Sequence, residues 1–372
     1  MKIIIAPDKF KGSLDSFEVC RAINNGVLQV NKKWKILPFP MADGGDGFAR
    51  VMQHYFNTAQ VSCATHDPLG KSIEALYLWS DKTRTAIIEL TTSSGLLLLK
   101  KEEQSPLYTS TYGTGLQIKD AVVRGAKKIL LGIGGSATND AGTGILSALG
   151  FQFLDRNGIL LKPCGKNLAL IERIVPPVSI PRIKIDIVCD VQNILHGING
   201  AAFIYAPQKG ASADEVIQLD EGLKHFASIL YKETGKNVSQ VPGTGAAGGI
   251  AAGLMSYFDV SLIEGAKMIT EKSGIEKELV GADLLITGEG KIDDQSKEGK
   301  VVGRIAALGK KYNVPVIAYC GVSDIDSEEA AKLGLTAVFP ISDEKSDITY
   351  SMKNAAALLA KKVAATLPSI MA

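Results

Sequence analysis

The chain has 372 residues, 41 Lys and Arg against 39 Asp and Glu, a net charge of +2, and 46% hydrophobic and 22% charged residues. So balanced a charge excludes capture of nucleic acid or an anionic membrane by overall field, so any anion must be held by local groups. At a length beyond the ~250–300 residues at which a single core stops growing, two domains are expected.

The opening MKIIIAPDKF carries a short apolar run before Pro7, unlike a signal peptide or a spanning segment, so a cytoplasmic protein is expected. KIIIA reads as a strand, SFEVCRAINNGVLQV as an amphipathic helix and WKILPFP as a second strand. Near residue 60 the pattern changes: QVSCATHD, SIEALYLWS and TAIIEL follow one another through PLGK and DKTR, as in an antiparallel meander. After about residue 270, ADLLITG, GRIAALGKKY, VPVIAYC, EEAAKLG, AVFPI and a long last helix restore the βαβ rhythm. The expected class is α/β: a parallel-sheet, Rossmann-like domain formed from 1–60 and 270–372, an inserted mixed α/β domain over 61–269, and a cleft between them. Cys20, Cys63, Cys164, Cys189 and Cys320 lie far apart with no CxxC, which predicts reduced, mostly buried thiols rather than disulfides or zinc. His54, His66, His196 and His225 show no metal spacing; His196 lies near Asp190 in sequence, and His225 is expected on the exposed face of a long helix.

The chain holds 38 glycines, many of them in loops where an apolar run gives way to small hydroxyl residues and a charge. These are PDKFKGS, MADGGDG, GIGGSATNDAGTG, CDVQN, PQKGAS, GTGAAGG and TGEGKIDDQSKEGK. At the carboxyl ends of parallel strands such loops bring backbone N–H groups against an anion. GTGAAG at 243–248 satisfies a dinucleotide pattern but follows no apolar strand. GIGGSA at 132–137 follows KKILL, is expected to open a helix, and has Asp155 about 20 residues on, though DRNG reads equally as a hairpin turn. No P-loop pattern and no G-x-S-x-G occur. Phosphoryl transfer needs carboxylates for Mg²⁺ and cations for phosphate. The loops offer Asp8, Asp43, Asp46, Asp190, Glu289, Asp293 and Asp294, with Lys9, Lys11, Lys209, Lys291 and Lys300.

Taken in order, PDKFKGSL, PMADGGDGF, GIGGSATNDAGTG, CDVQNILHGINGAA, APQKGA, GTGAAGGIAAGL and ITGEGKIDDQSKEGKVVGRIA resemble the glycerate kinase type I family over nearly the whole chain. Lys9 stands where many relatives carry serine, and Asp46 where many carry glutamate. The resemblance implies an enzyme that phosphorylates D-glycerate with ATP and Mg²⁺, at the C2 hydroxyl to give 2-phosphoglycerate. The 3-phosphate is the alternative, and an NAD-dependent dehydrogenase of a small hydroxy acid a more distant one. No nucleic-acid or membrane partner is expected, and a homodimer is left open.

Asp190 is the first candidate for general base or Mg²⁺ ligand, against a turn cap; Asp43 is weighed against an Asx-turn and Asp46 against an N-cap. Asp190, Glu289 and Asp293 are the candidate metal ligands, the last two flanking Lys291 in what reads as a charged turn. Gly134, Gly135, Ser136, Thr138, Asn139, Glu289, Lys291 and Lys300 are the candidate nucleotide contacts, with Arg304 beside Lys300 at the start of the helix that follows TGEGKIDDQSKEGK. Lys11 and Lys209 are candidate clamps for a carboxylate or phosphate, against an ordinary surface lysine.

Overall fold

The computed structural model describes residues 1–45, 47–293, 300–342 and 347–371. The chain opens with β1 (Lys2–Ile5) and β2 (Lys35–Pro38), then builds β3 (Ala59–His66), β4 (Ser72–Ser80), β5 (Thr85–Glu89), β6 (Lys128–Gly132), β7 (Gln152–Leu154), β8 (Arg173–Val175), β9 (Lys184–Val188) and β10 (Asp259–Ile263). It closes with β11 (Leu284–Ile292), β12 (Val316–Ser323) and β13 (Ala337–Pro340). Two compact units result, one from 1–43 and 264–372, the other from 44–263.

In the first unit the strands run β13-β12-β11-β1-β2, all parallel, with Ile3 opposite Leu284 and Ile36. The chain winds outward from β1 to one side and from β11 to the other, so β1 and β11 flank a topological switch point, where open α/β sheets leave a crevice at the strands' carboxyl ends. Ile3, Ile5, Leu284, Ile286 and Ile317 are fully buried, as strands covered on both faces require. The helix Ser16–Val30 starts in a capping box between Asp15 and Glu18. It meets the last helix, Ala355–Ile370, at Gly26, where a Cβ would lie 2.6 Å from the carbonyl of Ala360 and from Val363 Cβ.

In the second unit the order is β10-β9-β6-β5-β4-β3. β3, β4 and β5 are antiparallel, the meander read from the sequence, while β5, β6, β9 and β10 are parallel. Asp186, in the middle of β9, is buried and offset by ion pairs with Lys128 and, at 3.8 Å, Lys184. The turn after β7 is the hairpin that DRNG suggested: Asp155 Oδ1 accepts from the N–H groups of Asn157 and Ile159. All five cysteines are buried free thiols.

The units divide at Asp43 and Glu264 rather than near 60 and 270. The helix Phe48–Tyr55 belongs with the inserted sheet because Phe48 packs against Gly132 and its first turn is capped by Glu89. Glu89 Oε1 accepts from Gly47 N at 2.9 Å and Oε2 from Ala49 N at 3.1 Å, so the N-cap residue is Gly47 and its acceptor comes from β5. Asp46, a candidate for that cap, lies outside the described residues, as does Asp294.

Candidate active site

In the first unit, acids converge at the carboxyl ends of β1 and β11. Asp8 follows β1, donates its N–H to Gly288 O on β11 at 2.8 Å, and is 5% exposed. Its Oδ1 accepts from Lys9 N at 2.7 Å, while Lys9 Nζ lies 3.1 Å from Asp43 Oδ1 and 4.0 Å from Asp8 Oδ1. Burial, with the charges of Asp43 and Glu289 added, pushes the Asp8 carboxyl up to about 7 against the pull of Lys9. Asp8 and Lys9 were flagged by loop composition; their meeting with Asp43 and Glu289 depends on pairing across the whole chain, which no local pattern announces.

The stretch TGEGKI is not the charged turn that its composition suggested. It is the end of β11, with Glu289 buried and Lys291 exposed. Gly288 and Gly290 are there because a neighbouring backbone comes close: a Cβ on Gly288 would strike Tyr319 O, and one on Gly290 would sit 3.0 Å from Lys11 N. Lys291 Nζ pairs with Asp324 at 2.6 Å and Asp293 at 3.8 Å, which raises its pKa. Lys11 is exposed in the turn after Phe10, and Lys300 is the N-cap residue of the helix Val301–Tyr312, with Arg304 on its first turn.

In the second unit, the loop after β6 does not pass directly into a helix. The next helix begins at Thr143, and residues 133–142 are irregular. A dinucleotide fold would have its helix start within the glycine motif, so the resemblance of GIGGSA to that fingerprint ends at the pattern. Gly135 is exposed with φ +71°, but Gly134 is packed, since a Cβ there would lie 2.5 Å from Gly45 Cα. Ser136 is 7% exposed, and Thr138, Asn139 and Asp140 are fully buried.

Asp140 is anchored by the N–H of Thr111 (2.8 Å), its hydroxyl (2.9 Å) and the N–H groups of Gly142 (3.1 Å) and Gly144 (3.2 Å). Burial nonetheless raises its pKa. Among the described residues neither the amide atoms of Asn139 nor Thr138 Oγ1 have a hydrogen-bond partner, a cost of ~1–3 kcal/mol for each group left so. Lys209, far from a surface lysine, is 3% exposed and donates to Ser136 Oγ at 2.8 Å and Thr138 O at 2.7 Å. Burial drives its pKa down to about 7, opposed by Asp140.

Facing this loop, residues 246–249 hold Ala247 at φ 51° and Gly248 at φ 73°, and a Cβ on Gly248 would collide with Thr138 O. Ala141 also sits at positive φ, 52°. Such backbone in non-glycine residues costs ~1–2 kcal/mol each and gathers where function over-determines it. Asp190 stands two residues beyond β9, half-buried, next to Cys189, whose thiol burial pushes up to about 11. His196 is half-buried, and His225 is not on an exposed face: its Nε2 lies 2.8 Å from Ile171 O, a structural contact.

Among the described residues no three His, Cys, Asp or Glu side chains are grouped to enclose a metal ion. Mg²⁺ does not need such an enclosure: it keeps much of its water and is bound by one or two carboxylates plus substrate phosphates. The mutual repulsion of Asp8, Asp43 and Glu289 is the chemistry that a hard divalent cation relieves. The donor set therefore fits Mg²⁺.

An α/β protein with acids at a switch point and a buried lysine under a glycine loop has parts that a phosphotransferase uses; among the described residues no helix is long and apolar enough to cross a membrane. The comparisons take this further. The model of the glycerate kinase family matches residues 3–371. The chain is 40% identical over 365 residues to a glycerate kinase of Halalkalibacterium halodurans, covering 96% of this chain and 95% of that one. It is 40% identical over 344 residues to the glycerate 2-kinase of Escherichia coli, covering 92% and 90%. A crystal structure described as that of a glycerate kinase 2 from Salmonella typhimurium LT2 superposes with a TM-score of 0.82 at 36% identity, over 100% of this chain and 99% of that one. The chain belongs to the glycerate kinase family and is an enzyme of the kinase class.

Proposed function

We propose that the enzyme transfers the terminal phosphoryl group of ATP to the C2 hydroxyl of D-glycerate, giving 2-phosphoglycerate. The observation that carries this reading is the acid cluster of Asp8, Asp43 and Glu289 at the β1–β11 switch point, the place and charge that Mg²⁺ and phosphate require. The name of the Escherichia coli relative, glycerate 2-kinase, supports the position.

Glu289 and Asp293 are the carboxylates proposed to hold Mg²⁺, with Asp190 the third candidate; the ion would neutralise charge on the phosphates. Lys291 and Lys300 are proposed to meet phosphate oxygens, the latter at a helix N-terminus whose dipole favours anions. The loop of Gly134, Gly135, Ser136, Thr138 and Asn139 is proposed to hold the nucleotide's phosphates, with its exposed edge at Gly135 offering backbone N–H groups. Asp190 is the proposed acceptor of the hydroxyl proton, Asp43 is a second proposed catalytic carboxylate, and Lys11 is proposed for the carboxylate of glycerate.

Phosphorus NMR of the product formed from D-glycerate and MgATP tests the reading. The proton-coupled signal of a 2-phosphate is a doublet, from the single C2 hydrogen. A triplet would assign the 3-phosphate, and no new phosphoester signal would overturn the kinase reading for this substrate.

A further inference from the structure

Lys209 is a group the sequence flagged and the proposed chemistry leaves unused. It sits in the turn Pro207–Lys209, yet its ammonium is buried against the loop of the second unit rather than turned to water. Its two acceptors, Ser136 Oγ and Thr138 O, match the two hydrogens of a neutral amine. The third hydrogen of the charged form has no acceptor among the described residues. Within one residue lie the unpartnered amide of Asn139 and hydroxyl of Thr138, both fully buried. Buried polar groups are ordinarily satisfied, and here three such atoms stand beside a buried cation.

We propose that Lys209 is the counter-charge of the loop 134–139: two of its hydrogens fix Ser136 and Thr138 in place, and its positive charge balances an anionic group of the ligand. The inference rests on the assignment of that loop to an anionic substrate made above. The surroundings leave the role to Lys209. Among the described residues, the charge that acts on it is Asp140, from the same loop. The helix Ala201–Tyr205 carries none. Asp214 is exposed on the following helix, and Glu215 accepts from Ser212 N. In the segment beside Gly210, Glu103 pairs with Lys71. With its pKa pulled down to about 7 by burial, Lys209 is only partly charged when the loop is empty. Arrival of an anion favours the charged form, and the proton added to Nζ is taken from the buffer.

Calorimetric titration of the intact enzyme at pH 7 with MgADP, and separately with D-glycerate, in two buffers of different protonation enthalpy, measures that proton. Lys209 is expected to take up about half a proton per MgADP, as for a half-charged group driven to full charge, read as the difference between the wild type and Lys209→Arg, because Mg²⁺ among Asp8, Asp43 and Glu289 releases protons of its own. Lys209→Met should abolish the uptake and weaken MgADP binding about 10–100-fold. Lys209→Arg, always charged, should bind without that uptake. Uptake with D-glycerate alone would support the counter-charge and move the loop's ligand from phosphate to carboxylate. No difference in proton uptake between the wild type and Lys209→Arg in either titration overturns the proposal; the arginine variant decides if the methionine variant fails to fold. Turnover of D-glycerate by the wild type, assayed in parallel, keeps the two readings apart: turnover with no such difference removes only the role of Lys209, and no turnover removes the substrate assignment.

Discussion

At the carboxyl ends of β1 and β11 the side chains are acids, partly open and held together by Lys9. In the loop after β6 the floor is closed, a buried lysine stands with the buried carboxylate of Asp140, and the Asn139 amide and Thr138 hydroxyl have no hydrogen-bond partner among the described residues. Both regions end parallel strands with glycine-rich sequence, yet glycine serves different ends. In β11 it lets adjacent backbones touch, whereas in 134–142 it also lets the chain take left-handed turns at Gly135 and Gly142. A glycine-rich strand end is thus a statement about close approach, and only the charges around it say to what ligand.

The largest expected effect lies in chemistry. Asp190→Asn should lower turnover about 10²–10⁴-fold with the melting temperature unchanged, and an unchanged rate would move the proton acceptor to the acids of the first unit. Next comes packing of the closed loop: Gly248→Ala drives a methyl group at Thr138 O from a left-handed backbone and should cost ~2–4 kcal/mol in urea unfolding.

Asp8 sharpens the contrast through pH. Its folded pKa, about 7, lies above the 3.8 of an ordinary aspartate, so the folded state binds its proton more tightly. The stability this group contributes is full below the ordinary value and is lost as pH rises through about 7. Asp8→Asn should therefore leave stability at pH 4 nearly unchanged and raise it at pH 8 by ~4 kcal/mol, read from melts across the range; a parallel pH dependence in the variant would remove the buried charge from the account. Glu89→Ala should cost ~1–2 kcal/mol in the same melts, through loss of the acceptors for Gly47 and Ala49. Lys291→Met, breaking an exposed pair with Asp324, should not change stability measurably.

The βαβ grammar of both termini and the central meander were legible because apolar runs such as KIIIA and KILLG have the length and punctuation of strands. TGEGKI misled because glycine density signals a turn locally, while here it answers the backbones of Tyr319 and Phe10, distant in sequence. Glu89, at the end of an ordinary strand, carried no signal; its partners lie 40 and 42 residues upstream. The switch-point cluster was visible only as separate loops, since the pairing of Ile3 with Leu284 joins residues that no window spans.

That pairing bears on biosynthesis. The nascent chain has all of 44–263 once residue 263 has left the ribosome, and this portion can condense while translation continues. β1 must instead wait, unpartnered on the β11 side, until residue 284 emerges, and the helix Ser16–Val30 until its last partner, Ala355–Ile370, is made. Maturation of the acid-bearing sheet is thereby a late event, set by emergence of the helix Ala355–Ile370 rather than by local propensity.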